Sequence, residues 1–116
     1  MSKGYKEITQ RIAKGVGAFA KENPDIMKGF REMSAAADRD GVLSAKTKEL
    51  IALAIGVSQR CDGCIGFHMK NLIKLGATRE EIVEMLGVVV YMGGGPALMY
   101  VGDAMHAYDE FVSTGN

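Results

Sequence analysis

A net charge, a second pair of cysteines and any strand-type alternation are all missing from this 116-residue chain. Fourteen Lys plus Arg balance fourteen Asp plus Glu, with no basic run and no cationic stripe spaced by aromatics. Nucleic acid and anionic membrane surfaces are therefore poor partners. The apolar stretch Leu50 to Val57 falls well short of the roughly 20 residues that span a bilayer, and the N-terminus carries no signal-type apolar region. A cytosolic protein without a membrane partner is expected. No segment alternates with period two between turn signals, so no strand is expected either. At this length the chain is read as one domain, 1–116, with a real core but little room for a large enclosed active-site cavity. A site shared between subunits would relieve that limit.

Helical spacing is what the sequence does contain. Tyr5, Ile8, Ile12, Val16 and Phe19 recur every three or four residues, and Asn23 followed by Pro24 reads as an N-cap with proline at the first helical position. The second helix carries Met27, Phe30, Met33 and Ala37 on one face and stops near Asp40 and Gly41. Ser44 then caps a third, about 45 to 58, whose Leu50-Ile51-Ala52-Leu53-Ala54-Ile55 is apolar all round. Such a helix must be enclosed by its own domain or by other subunits. The fourth starts in the cysteine run and continues through Met69, Leu72, Ile73 and Leu75 until Gly76. Thr78 and Glu81 form a capping box for the fifth. That helix runs through Ile82, Leu86 and Val90 to Gly93-Gly94-Gly95-Pro96, where a break is expected. A sixth carries Leu98, Val101, Met105, Tyr108 and Phe111. The expectation is an all-α domain of about six helices, oligomeric, with eight methionines filling core and interface.

The chemistry is concentrated in Cys61-Asp62-Gly63-Cys64-Ile65-Gly66-Phe67-His68. On a helix, offsets of three and four place both thiols and the imidazole on one face. Cysteines at i and i+3 can close a disulfide with little backbone movement. So small a ring removes little chain entropy, which makes a stabilising staple a poor reason for the pair. Cys61 falls at the helix N-terminus, where free N–H groups favour a thiolate, and His68 lies one turn beyond Cys64 as a local base. If helices three and four form a tight hairpin turning near Gln59 and Arg60, Glu49 and His68 lie at the same level, each roughly 14 Å down it. A carboxylate there would fix the imidazole tautomer, giving a relay of Glu49, His68 and Cys64 with Cys61 as the second sulfur. Two other readings stand beside this one. The cysteines could be small buried hydrophobes, or with His68 they could hold zinc, although structural zinc sites usually draw on a second ligand pair that this chain lacks.

Glu49, Cys61, Cys64 and His68, together with Tyr91-Met92-Gly93-Gly94-Gly95-Pro96-Ala97, resemble the carboxymuconolactone decarboxylase family, specifically its alkyl hydroperoxidase D-like branch. The resemblance implies an all-helical fold, a homotrimer or homohexamer, and a thiol peroxidase acting on hydrogen peroxide or small alkyl hydroperoxides. It implies that Cys64 attacks the peroxide, that Cys61 resolves the sulfenic acid, and that Glu49 and His68 move protons. No bound cofactor or metal is required, and an external dithiol, lipoyl or thioredoxin-like protein would restore the pair. The best-studied hydroperoxidases carry a histidine just before the second cysteine, where this chain has Gly63. The alternatives are a dithiol–disulfide electron carrier that never meets peroxide, and a redox-sensing or zinc-binding oligomeric module without turnover. His106 has no chemical neighbour in sequence and reads as structural or exposed. Gly93 to Gly95 lack the preceding strand and following Lys-Ser or Lys-Thr of a phosphate loop.

Overall fold

A computed structural model describes residues 4–113. They form helices α1 (Tyr5–Glu22), α2 (Pro24–Asp38), α3 (Ala45–Ser58), α4 (Asp62–Lys74) and α5 (Arg79–Ser113), with no strand among the described residues. The all-α expectation holds, but the fifth and sixth predicted helices are one kinked element. Only Gly94 leaves helical geometry, at φ 75 and ψ −156, a region open essentially to glycine alone. Pro96 fits immediately afterwards because the break has already freed its turn from an N–H donor. Gly93 is needed for closeness, since a Cβ there would lie 2.5 Å from that of Ala97.

The helix ends are set by local chemistry. Ser44 Oγ accepts from the N–H of Thr47. The capping box is reciprocal: Glu81 N–H donates to Thr78 Oγ1 at 3.1 Å and Thr78 N–H to Glu81 Oε1 at 2.8 Å. Gly76, at φ 81, closes α4, with Gly76 N–H donating to Ile73 O and Ala77 N–H to Leu72 O, the paired bonds of a Schellman motif. Asn23 precedes Pro24 as expected, but its side chain makes no capping bond.

The core gathers Tyr5 and Ile8 from α1, Leu53 and Val57 from α3, Ile65, Met69 and Leu72 from α4, and Ile82, Leu86, Ala104 and Phe111 from α5. α3 and α4 pack antiparallel at its centre with α5 along them. The C-terminal half of α1 and all of α2 stand off this body as an arm. No residue of α2 is buried, and Phe19, Ile26, Phe30 and Met33 are all about half or more exposed. The arm lifts the radius of gyration to 14.6 Å, against about 13 Å for a compact domain of this size. The outward face of α3 is bare as well, at Ile51 and Ile55. Its own chain therefore encloses only half of the helix expected to be surrounded.

α5 also modifies the reading of apolar runs. By length and composition it could cross a membrane: Met85 to Val101, which the sequence reading passed over in favour of Leu50 to Val57, holds no charged residue. Its two limbs bury Ile82, Leu86, Ala104, Ala107 and Phe111 in the core of the domain.

Candidate active site

The site is built around the corner between α3 and α4. α3 ends in a second Schellman arrangement, Arg60 N–H to Val57 O and Cys61 N–H to Gly56 O. The left-handed position, usually glycine, is Arg60 at φ 57. The chain thus turns within three residues, and Cys61 at once becomes the N-cap of α4. Its sulfur accepts from the Cys64 N–H at 3.2 Å, so a backbone dipole is aimed at a sulfur on which charge would develop.

Cys61 and Cys64 are joined in a disulfide with Cα atoms 5.2 Å apart, the separation that i and i+3 provide on a helix. Both are half-buried. Behind them, Gly56 permits the close approach of the two helices: a Cβ there would stand 2.8 Å from Cys64 Cβ. Sequence reading missed this residue, because a helix-interior glycine signals only a propensity cost until its partner is known.

Down the same hairpin, Glu49 Oε1 and His68 Nδ1 are 2.8 Å apart. Equal distance from the turn does bring them to one level. The Glu49 side chain is only 2 % exposed, and a buried carboxylate is tolerable only with such a partner. Because an ionised carboxylate can only accept, Nδ1 of the neutral ring carries the proton and Nε2 is left as the basic nitrogen. The pair also faces an open cleft of about 420 Å³ between α2, α3 and α4, walled by Ala37, Ile51, Ala52 and Ile55 with Asp38 and Asn71 alongside. Among the described residues, no group of three or more Cys, His, Asp and Glu is arranged to hold a metal.

α1 covers the opposite face of α4. A Cβ on Gly63 would meet Ile12 Cδ1 at 2.8 Å, and one on Gly66 would meet Thr9 Cγ2 at 2.5 Å. The two glycines let α1 lie flush beside the disulfide. Asp62, inside the cysteine ring, accepts a long hydrogen bond from Tyr5 Oη at 3.4 Å. His106 is half-exposed, as its sequence reading allowed, but it does have a neighbour in sequence, Glu110 one turn on at 3.9 Å, and it stands edge-on to Tyr5.

The model of the carboxymuconolactone decarboxylase family matches residues 24–107. The chain belongs to that family. It is 38% identical over 109 residues to an uncharacterised protein of Cupriavidus necator, covering 94% of this chain and 96% of the other. A solved family protein of Legionella pneumophila, in its apo form, superposes with a TM-score of 0.91 at 52% identity, covering 92% of this chain and 96% of that one. Another, from Thermotoga maritima and with a suggested part in antioxidative response, gives 0.71 at 32% identity over 77% and 92% of the two chains. The family includes decarboxylases and peroxidases, so membership narrows the activity without choosing it. The cysteine pair and the Glu49–His68 contact must carry that choice.

Proposed function

We propose that this protein is a cytosolic thiol oxidoreductase of the alkyl hydroperoxidase D-like branch, reducing hydrogen peroxide or small alkyl hydroperoxides through Cys61 and Cys64. The observation that carries the reading is the buried Glu49 paired with His68 at 2.8 Å, one turn beyond a disulfide-forming pair. The Thermotoga relative's suggested antioxidative part agrees with it. His68 Nε2 takes the Cys64 thiol proton, and the thiolate attacks the outer peroxide oxygen. The O–O bond breaks, leaving a sulfenic acid on Cys64 and an alkoxide that receives the proton back from His68. Cys61 then gives up its proton and attacks the Cys64 sulfur, forming the disulfide and releasing hydroxide, which leaves as water. An external dithiol, protein-borne or lipoyl, reduces the disulfide by two exchange steps and is itself oxidised.

Further copies of the chain cover the apolar arm and the bare face of α3 in this reading, giving a homotrimer or homohexamer. Exposed side chains such as Phe30, Met33 and Ile55 are more than a soluble monomer usually presents in one region. Light scattering at the monomer mass would overturn this part. The activity is tested by consumption of tert-butyl hydroperoxide with dihydrolipoamide as reductant, comparing the protein with Cys64→Ser. Turnover lost in the variant supports a peroxidase, and background rates in both remove it.

One observation favours a second reading, a dithiol–disulfide carrier. Where the best-studied hydroperoxidases place an extra histidine, this chain has Gly63, with Ile12 Cδ1 2.8 Å from where a Cβ would stand, so the position holds no relay group and a side chain there would have to displace the end of Ile12. Rapid disulfide exchange with a lipoyl or thioredoxin-like protein, without peroxide turnover, selects this alternative.

A further inference from the structure

Asp62 is the one carboxylate enclosed by the cysteine ring, and neither the relay nor the peroxide step uses it. As the first residue of α4 it has an ordinary explanation, since an acid in the first turn complements the helix dipole. The surroundings of Asp62 ask for more than that. Tyr5 is wholly buried and directs its hydroxyl at Asp62 Oδ1. The backbone that carries Tyr5 is held from several sides. Its backbone N–H donates to Glu110 Oε1 at 2.9 Å and that of Lys6 to Glu110 Oε2 at 3.2 Å. Thr9 Oγ1 donates to the Tyr5 carbonyl at 2.9 Å. The bare Gly66 leaves room for the ring against α4, with Tyr5 Cδ1 3.5 Å from where its Cβ would be. A donor fixed this firmly costs little further ordering when it binds a charge.

Two influences of opposite sign therefore meet at the sulfurs. The Cys64 N–H, 3.2 Å from Cys61 Sγ, favours a thiolate. A carboxylate within one helical turn of both sulfurs opposes it, because like charges disfavour ionisation. The hydroxyl of Tyr5 draws part of that carboxylate charge toward α1.

We propose that Asp62 sets the reduction potential of the Cys61–Cys64 pair and that Tyr5 is its positioning residue, holding the carboxylate on the α1 side of the ring. The proposal rests on the dithiol cycle described above but not on peroxide being the oxidant. Asp62 destabilises the reduced, thiolate-bearing form and so makes the pair a stronger reductant. The other charged and titratable groups around Tyr5 and the cysteine ring are Arg60, next in chain to Cys61, Glu110 and His106 of α5 against Tyr5, Lys6 beside it, and the Glu49–His68 pair further along the hairpin, all retained in the test.

The test is equilibration of the full chain with glutathione buffers at pH 7, reading the disulfide fraction for wild type, Asp62→Asn, Tyr5→Phe and the double variant. Urea unfolding of each controls for folding. Asp62→Asn is expected to favour the reduced form about tenfold, the effect of one unit charge near a half-buried thiolate, or about 30 mV for a two-electron couple. Tyr5→Phe should shift the equilibrium the other way by about threefold, and that shift should vanish when Asn already stands at 62. A purely structural tyrosine would change the urea midpoint and leave the potential alone. Asp62→Asn within twofold of wild type, or a Tyr5→Phe shift that persists in the double variant, overturns the proposal while the dithiol cycle stands. A wild type that never exchanges its disulfide removes both.

Discussion

Replacing Gly56 by alanine sets two rules against each other with a defined winner. In an exposed helix interior the change stabilises by about 1 kcal/mol, because alanine loses less backbone entropy. At Gly56 the new Cβ would sit 2.8 Å from Cys64 Cβ, 3.6 Å from the Cys64 carbonyl carbon and 3.7 Å from the Ile65 nitrogen. Carbon atoms prefer about 3.5 to 4.0 Å, so the first contact is short by about 1 Å. Both atoms are fixed to backbone, and neither can rotate away. α3 and α4 must separate at the corner, which places the cost near the upper end of the roughly 1 to 3 kcal/mol of overpacking. After the propensity gain is subtracted, about 2 kcal/mol of destabilisation remains, or about 8 °C in Tm for a chain of this length. The assay is urea unfolding of the oxidised protein at fixed protomer concentration, with Gly102→Ala as control. Gly102 lies in the second limb of α5 with nothing within 4 Å of its would-be Cβ, and should gain stability where Gly56 loses it. Displacement of Cys64 should also slow disulfide closure. A Gly56→Ala protein as stable as wild type, with unchanged closure, would show that the corner has slack and that the glycine is not a packing requirement.

Glu49→Gln keeps the shape of the buried pair but removes the charge that steadies His68 as it takes a proton; peroxide turnover should fall by about 10², with the disulfide still forming. Unchanged turnover would remove Glu49 from the relay. Arg60→Gly relieves a left-handed arginine at φ 57, a conformation costing about 1 to 2 kcal/mol, and after glycine's own entropy cost should stabilise by about 0.5 to 1 kcal/mol, read in the same urea assay. A loss would mean that the arginine side chain contributes more than its backbone costs. Glu81 is held below the ordinary carboxylate range, chiefly by its hydrogen bond to Lys46 at 2.8 Å and then by the Thr78 N–H. Its contribution is present above the unfolded-state value and lost as pH falls through the lowered folded one, so Lys46→Met should flatten the acid limb of the stability curve.

Signals confined to a few neighbouring residues were legible in the sequence. The Ser44 cap, the Thr78–Glu81 box and the terminating Gly76 each act within one turn, and each appears as expected. The level of Glu49 and His68 was also legible, because a constant helical rise converts residue counts into distance once the turn is placed. What escaped depends on distant partners. Gly56, Gly63 and Gly66 look alike in sequence, yet their neighbours are Cys64, Ile12 and Thr9 respectively, and in each case the neighbour belongs to another helix. Tyr5 read as the first apolar position of α1, while its hydroxyl serves Asp62, 57 residues away. The amphipathic pattern of α2 established that its apolar face needs a cover, but periodicity carries no information on whether that cover belongs to the same chain. Three consecutive glycines announced a break in α5, but could not show that helical bonding resumes after a single residue.

The corner at Arg60 and Cys61 explains why so short a chain can carry a two-sulfur site. Within a helix, the spacing of i and i+3 fixes the Cα atoms of Cys61 and Cys64 at 5.2 Å, which suits a disulfide and equally suits two thiols. Opening and closing the bond then requires side-chain rotation and leaves α4 wound. In the dithiol cycle proposed above, the free energy would be set by the groups around the sulfurs: the Cys64 N–H, the Asp62 carboxylate with Tyr5, and His68 with Glu49. All three belong to α4, but two of them are held by partners on other helices, Tyr5 of α1 and Glu49 of α3. Their influences can be changed one at a time without dismantling the fold, and a family with this corner can vary its redox chemistry through the residues that flank it while the helices stay as they are.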